Sequence, residues 1–215
     1  MPDALAVVAH HDDHILWMGG TLQRTLAAGW RWKLVAMCVP EPAKQMYYHA
    51  CCRAIGTGGS CMVFQDYQAG SAFSRNQRAA MEGQLLNAIQ ANAFDYVFTH
   101  SRHAHGEYGG AHANHIEVRE IVETMVRAGQ IGKGAGSLAY FSYDLLYGGG
   151  GKATAAITNS DYFLQLTYPE LMLKCHWCQQ APDANTNLAN LGFPCPNPEA
   201  FEGDGLTLPA PFMLP

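Results

Sequence analysis

Residues 10 to 14 read His-His-Asp-Asp-His and follow the apolar run LAVVA directly. Only 14% of the chain is charged, so five ionisable side chains in a row stand out from their background. A second concentration lies at 99 to 115, THSRHAHGEYGGAHANH, where His100, His103, His105, His112 and His115 fall within 16 residues. Imidazole and carboxylate together suit a divalent ion such as zinc. Two histidines and one carboxylate leave a fourth position open for water. His10, Asp13 and His115 fit that set. His112 and His115 are three apart at a helix start, so both side chains can face one cleft. Taken singly, each of these histidines reads more readily as an ordinary loop residue than as a ligand; five of them opposite an H-x-D-D are what favour a site.

The two segments need a scaffold that brings them together. Leu5 to Ala9, Leu34 to Val39, Cys61 to Phe64, Tyr96 to Thr99 and Leu138 to Tyr143 are short apolar runs with the profile of buried strands. Between them, Gly20 to Ala28, Ala43 to Ile55, Arg75 to Ala91 and Asn114 to Ala128 carry apolar residues at helical spacing. The βαβα order predicts an α/β fold with a mostly parallel sheet and helices on both faces. Ligands of such folds bind beyond the carboxyl ends of the strands, and both histidine-rich segments fall there. Residues 147 to 156, YGGGGKATAA, read as a loop. Residues 1–181 read as one catalytic domain, and 182–215, rich in Pro, Asn and Gly, as an irregular tail wrapping on it.

Composition narrows the function classes. A chain of 215 residues with 48% hydrophobic content can bury a full core. Its net charge of −5 and lack of a basic stripe argue against nucleic acid as a partner. No apolar run reaches membrane-spanning length and no signal-peptide pattern is visible, so a cytoplasmic protein is expected. Seven cysteines, two of them adjacent at 51 and 52, make a poor disulfide framework and read as reduced thiols. Homo-oligomerisation stays open.

The motifs also carry a resemblance. AHHDDHILWMGGTL resembles the A-H-P-D-D-E…G-G-T-L signature of the LmbE-like, or PIG-L-type, de-N-acetylases. THSRHAHGEYGGAHANH is similar to their T-H…G-E-Y-G-H-P-D-H segment, and the likeness extends through PEAF at 198 to 201. The resemblance implies a Rossmann-like three-layer fold and removal of acetyl groups from N-acetylglucosamine-type amines by a zinc-bound water. It implies His10, Asp13 and His115 as ligands of zinc or another divalent ion, Asp12 as general base and His112 as the electrophilic or acid histidine. A carboxylate beside a metal-activated water takes its proton as the amide carbonyl is attacked, which accounts for the adjacent aspartates.

The sequence departs from the family pattern in four places. His11 replaces a proline, His14 replaces a glutamate, Gly110 and Ala111 lengthen the loop, and Asn114 replaces the aspartate that normally partners the acid histidine. The substrate-binding candidates are Lys44, Asp66, His14, Glu107 and Tyr108. Lys44 aligns with a family arginine, against a reading as a solvated lysine. Asp66 aligns with a substrate-facing aspartate, against a turn role. Tyr108 can donate to an oxyanion. Asn114 is expected to lie behind His112. Cys175-His176-Trp177-Cys178 has zinc-like spacing but no second pair, and reads as core.

The expected function is therefore metal-dependent hydrolysis of an N-acetyl amide, less so an N-formyl one, on an amino sugar or glycoconjugate. A hydrolase of non-sugar N-acyl amines and a catalytically silent metal-binding protein are the alternatives, and Asp12 separates them because a binder needs ligands but no base. A dinucleotide-dependent oxidoreductase would need a G-x-G-x-x-G in the first turn, which instead carries HHDDH.

Overall fold

Strand β1 (Asp3–Val8) is almost wholly apolar because both of its faces are covered. Ala4, Ala6 and Val8 pack into one core with helix residues from α1 (Asp13–Ala27), α2 (Pro42–Ile55) and α5 (Tyr168–Gln180). Leu5, Val7 and Ala9 pack into a second core with α3 (Arg75–Ile89) and α4 (Ala113–Arg127). The result is a three-layer arrangement with helices on both sheet faces. The computed structural model describes residues 1–66, 73–90, 93–102, 113–141, 160–182, 199–203, 205–209 and 212.

Among the described residues the sheet has seven strands, in the order β3-β2-β1-β4-β5-β7-β6. Strands β2 (Arg31–Ala36), β3 (Gly58–Cys61), β4 (Tyr96–Thr99) and β5 (Leu138–Phe141) run parallel to β1, with Val8 opposite Ala36 and Ala6 opposite Phe98. Strand β7 (Glu199–Gly203) is antiparallel to both β5 and β6 (Tyr162–Leu164). The chain winds outward in one direction through β2 and β3 and in the other through β4 and β5. The switch point therefore lies between β1 and β4, and in such sheets ligands bind beyond the carboxyl ends of the strands at that point.

Two sequence expectations need correction. The first helix begins at Asp13 and not at Gly20, with a non-helical break at Met18 (φ −140°, ψ 22°). Only its second half has the apolar period that periodicity detects. At the restart, the backbone N–H groups of Gly20 and Thr21 and the Thr21 hydroxyl donate to the Glu199 carboxylate at 2.9, 2.7 and 2.7 Å. An acidic side chain satisfies the donors that a helix start leaves open. A Cβ at Gly20 would lie 2.1 Å from Leu166 Cδ2, so a larger residue there would displace the Leu166 side chain. Glu199 also accepts from Lys174 on α5 at 2.7 Å, and both side chains are fully buried. The second correction follows: the stretch 182–215, expected to be irregular, supplies strand β7 and this cap. The expected loop at 147–156 lies outside the described residues.

The described cysteines are all free thiols, and Cys175 and Cys178 are buried on α5 as core residues. No helix among the described residues is long and apolar enough to cross a membrane.

Candidate active site

The loop between β1 and α1 is short because α1 starts five residues after Val8. His10 closes on that loop: its backbone N–H donates to Asp13 Oδ2 at 2.7 Å. Asp12 is the N-cap of α1, yet its side chain makes no cap hydrogen bond. Asp12 is buried, and His11 Nδ1 stands 3.8 Å from Asp12 Oδ1.

Helix α4 delivers His115 from the other side of the switch point. His10 Nδ1 lies 3.0 Å from His115 Nε2 and 3.4 Å from Asp13 Oδ2, and His115 Nε2 lies 3.5 Å from Asp13 Oδ1. One ligand atom from each of His10, Asp13 and His115 falls within 4.8 Å of the others, a spacing that can hold a metal ion. Asp13 Oδ1 is buried with no hydrogen-bond partner among the described residues. A buried carboxylate oxygen left in that state is costly unless a cation takes it up, so the donor set fits a divalent ion.

The electrostatics agree. Burial opposes a charge on His10, but hydrogen bonds and charge from Asp13 and Asp66 outweigh it and raise the imidazole to about 10. Burial likewise opposes ionised Asp13, but His115, His100 and His10 hold its carboxyl well below the ordinary range. The field at this point stabilises positive charge between two carboxylates, the environment a divalent cation requires.

Sequence reasoning assigned no role to His100, which follows β4 directly. Its Nε2 accepts the Ala9 backbone N–H at 2.8 Å and lies 3.5 Å from Asp13 Oδ2. The ring stacks on His115 with centroids 3.9 Å apart and planes 13° apart. The available signal was its position at the carboxyl end of a strand beside β1.

The remaining candidates divide by location. Asp66, beyond β3, reaches the centre: its Oδ1 is 3.3 Å from His10 Nε2. Asn114 is fully buried one residue before His115, and its Nδ2 donates to the Gln65 carbonyl at 3.0 Å. Lys44 sits in the first turn of α2, paired with Glu41 Oε1 at 3.0 Å. His14 is fully buried against Tyr48, with Nε2 3.9 Å from Cys52 Sγ. Burial lowers its pKa to about 3 despite nearby Asp13, with His11 adding to the effect. Glu107, Tyr108, Gly110, Ala111 and His112 lie outside the described residues. The thiols offer no rival nucleophile near α2, since burial pushes Cys52 and Cys61 up to about 12.

Solved structures share this architecture at low sequence identity. The conserved protein TT1542 from Thermus thermophilus is 18% identical, with 98% of each chain covered and a TM-score of 0.60. The N,N'-diacetylchitobiose deacetylase from Pyrococcus horikoshii, complexed with its inhibitor MPG, is 16% identical; 94% of this chain and 83% of that one are covered, with a TM-score of 0.58. GalB, the 4-carboxy-2-hydroxymuconate hydratase from Pseudomonas putida, is 14% identical over 94% and 95% of the two chains, with a TM-score of 0.54. No curated protein matches the sequence. A profile of the GlcNAc-PI de-N-acetylases, PIG-L, matches residues 5–126, which span β1 to α4 and include every described member of the His/Asp cluster. With more than half of the chain matched, the protein belongs to the PIG-L (GlcNAc-PI de-N-acetylase) family.

Proposed function

We propose that the protein is a metal-dependent amide hydrolase that removes an N-acetyl group from an N-acetylglucosamine-type amino sugar or glycoconjugate. The observation that carries the reading is the convergence of His10, Asp13 and His115 within 4.8 Å at the β1/β4 switch point, with Asp12 beside them. The family match supports de-N-acetylation, and the sugar class is that of the chitobiose deacetylase of the same fold. The fold alone does not decide the reaction, because GalB shares it and is a hydratase.

A divalent ion held by His10, Asp13 and His115 supplies a Lewis acid and a water of lowered pKa; zinc suits the donor set. The chain supplies the rest. Asp12 takes the proton from the attacking water as the amide carbon becomes tetrahedral, and its shielded position keeps that proton from bulk solvent. Asp13 is assigned to the metal instead: its Oδ2 accepts the His10 backbone N–H, and its buried Oδ1 lies 3.5 Å from His115 Nε2 within the proposed donor set. His112 supports the oxyanion and protonates the departing amine, a role that rests on its match to the acid histidine of the family's G-E-Y-G-H-P-D-H segment. Asp66 and Lys44 flank the carboxyl ends of β3 and β2 and can meet sugar hydroxyls, with Glu107 and Tyr108 as further pocket candidates; His14, fully buried against Tyr48, serves packing instead.

The test is acetate release from N-acetylglucosamine, diacetylchitobiose and N-acetylated glycosylated natural products by zinc-loaded protein. Release from at least one sugar, abolished by a chelator and restored by the metal, is expected. Release only from simple N-acetyl alkylamines would move the substrate class to non-sugar amides, and release from none would contradict the proposal.

A further inference from the structure

Asn114 stands where the family pattern has an aspartate, and its hydrogen bond is one an aspartate cannot make. The Nδ2 group donates to the Gln65 carbonyl at 3.0 Å, from a side chain with no solvent exposure. Asn114 therefore ties the segment after β3 to the helix that carries His115. The next residue along that segment is Asp66, whose Oδ1 lies 3.3 Å from His10 Nε2. The opposite nitrogen of the same ring, Nδ1, faces His115 Nε2 at 3.0 Å and Asp13 Oδ2 at 3.4 Å.

We propose that Asn114 and Asp66 form a positioning relay for the metal ligand His10, in which Asn114 holds the Gln65–Asp66 backbone so that the Asp66 carboxylate receives the His10 Nε2 proton. This rests on the reading of His10, Asp13 and His115 as the metal set. A histidine ligand binds metal through an unprotonated nitrogen, so a carboxylate that accepts from the other nitrogen fixes the tautomer and the ring plane. Asp66 is the residue in place to do this for Nδ1 of His10. Its hold depends on where the Gln65 carbonyl sits, because Asp66 comes from a connecting segment and not from within a strand. Aspartate at 114 would bring an acceptor-only carboxylate to the Gln65 carbonyl and push that segment away. Asn114 and Asp66 are thus positioning residues that act through His10.

The experiment is a competition titration of zinc against a chelator for the wild type, Asp66→Asn, Asn114→Asp and the double variant, with thermal melts of each. Asp66→Asn should raise the zinc Kd by roughly 10- to 100-fold, the usual effect of losing such a partner. Asn114→Asp should raise it in the same range. The double variant should be within about 3-fold of the weaker single variant, because both substitutions break one relay. Asn114→Ala, which removes the donor without adding charge, should lie between wild type and Asn114→Asp, and serves if the charged variant folds poorly. In zinc-loaded wild type, the ring nitrogen resonances of His10 should show a protonated Nε2 in slow exchange with solvent, and this should be lost in Asp66→Asn. Wild-type zinc affinity in Asn114→Asp, or multiplicative losses in the double variant, would overturn the relay while leaving the metal set standing. A wild type that binds no zinc would overturn both.

Discussion

The imidazole of His100 lies flat on that of His115, 3.9 Å between centroids, while its Nε2 accepts the Ala9 N–H at 2.8 Å. One side chain at the end of β4 thereby fixes both the turn after β1 and the plane of a proposed ligand on α4. His100→Phe should keep the stacking surface but leave a buried N–H unpaired, costing about 1–3 kcal/mol of stability in urea unfolding while zinc affinity changes little. His100→Ala should lose both, weakening zinc by roughly 10-fold as well. Equal zinc affinity in the two variants would show that the stacking does not orient His115.

The metal set makes a direct prediction of its own. His115→Ala should lose zinc on dialysis, whereas His176→Ala, on the exposed face of α5, should keep the wild-type content. Metal analysis after dialysis decides it, and retention in both would remove His115 from the ligand set.

Two ion pairs separate burial from mere proximity. Lys174→Met strands Glu199 in the core and should destabilise the fold by about 3–5 kcal/mol. Lys133→Met breaks the exposed pair with Asp95 and should leave the urea unfolding midpoint close to that of the wild type. Urea unfolding of the two variants measures the contrast. Similar costs would mean that Glu199 keeps its place through Gly20 and Thr21 alone.

The start of α5 carries a pH-dependent contribution. Glu170 accepts from Arg24 and, as partner of Thr167 in a capping box, from the Thr167 backbone N–H at 2.7 Å. The Arg24 hydrogen bond, with the Thr167 donors against a smaller opposing effect of burial, lowers its carboxyl to about 2 from an ordinary value of 4.5. A carboxyl depressed in the folded state contributes fully above its ordinary pKa and loses that contribution as pH falls from about 4.5 towards about 2. Glu170→Gln should therefore be less stable than wild type by about 1 kcal/mol at pH 7. The gap should close as both are acidified through that window. A gap independent of pH would assign it to packing.

The pattern of what the sequence revealed follows from the range of each interaction. Strands β1 and β4 were legible to within two residues because both lie centrally in a parallel sheet and are continuously apolar. The clustering of His10, Asp13 and His115 was legible because residue type and the placement of their segments after β1 and β4 already restrict it. The first turn of α1 was not, since Asp13 to Met18 carries no apolar period and the helix breaks at Met18. Strand β7 was hidden in a Pro- and Asn-rich stretch, and its value as a cap for Gly20 and Thr21 depends on a contact spanning 179 positions. The same holds for His100 and Asn114: their partners, Ala9 and Gln65, are 91 and 49 residues away and become neighbours only through the strand order β3-β2-β1-β4.

The central claim is that a metal set of His10, Asp13 and His115 and a separate proton acceptor, Asp12, stand side by side. The direct measurement is acetate release by wild type and Asp12→Asn, with bound zinc counted in both. The near-isosteric amide should leave zinc at one per chain and lower the rate by roughly 10²- to 10⁴-fold, the worth of a positioned general base. Loss of zinc in Asp12→Asn with a residual rate that tracks occupancy would make Asp12 a ligand, and an unchanged rate at full occupancy would remove it from the chemistry; either result contradicts the account.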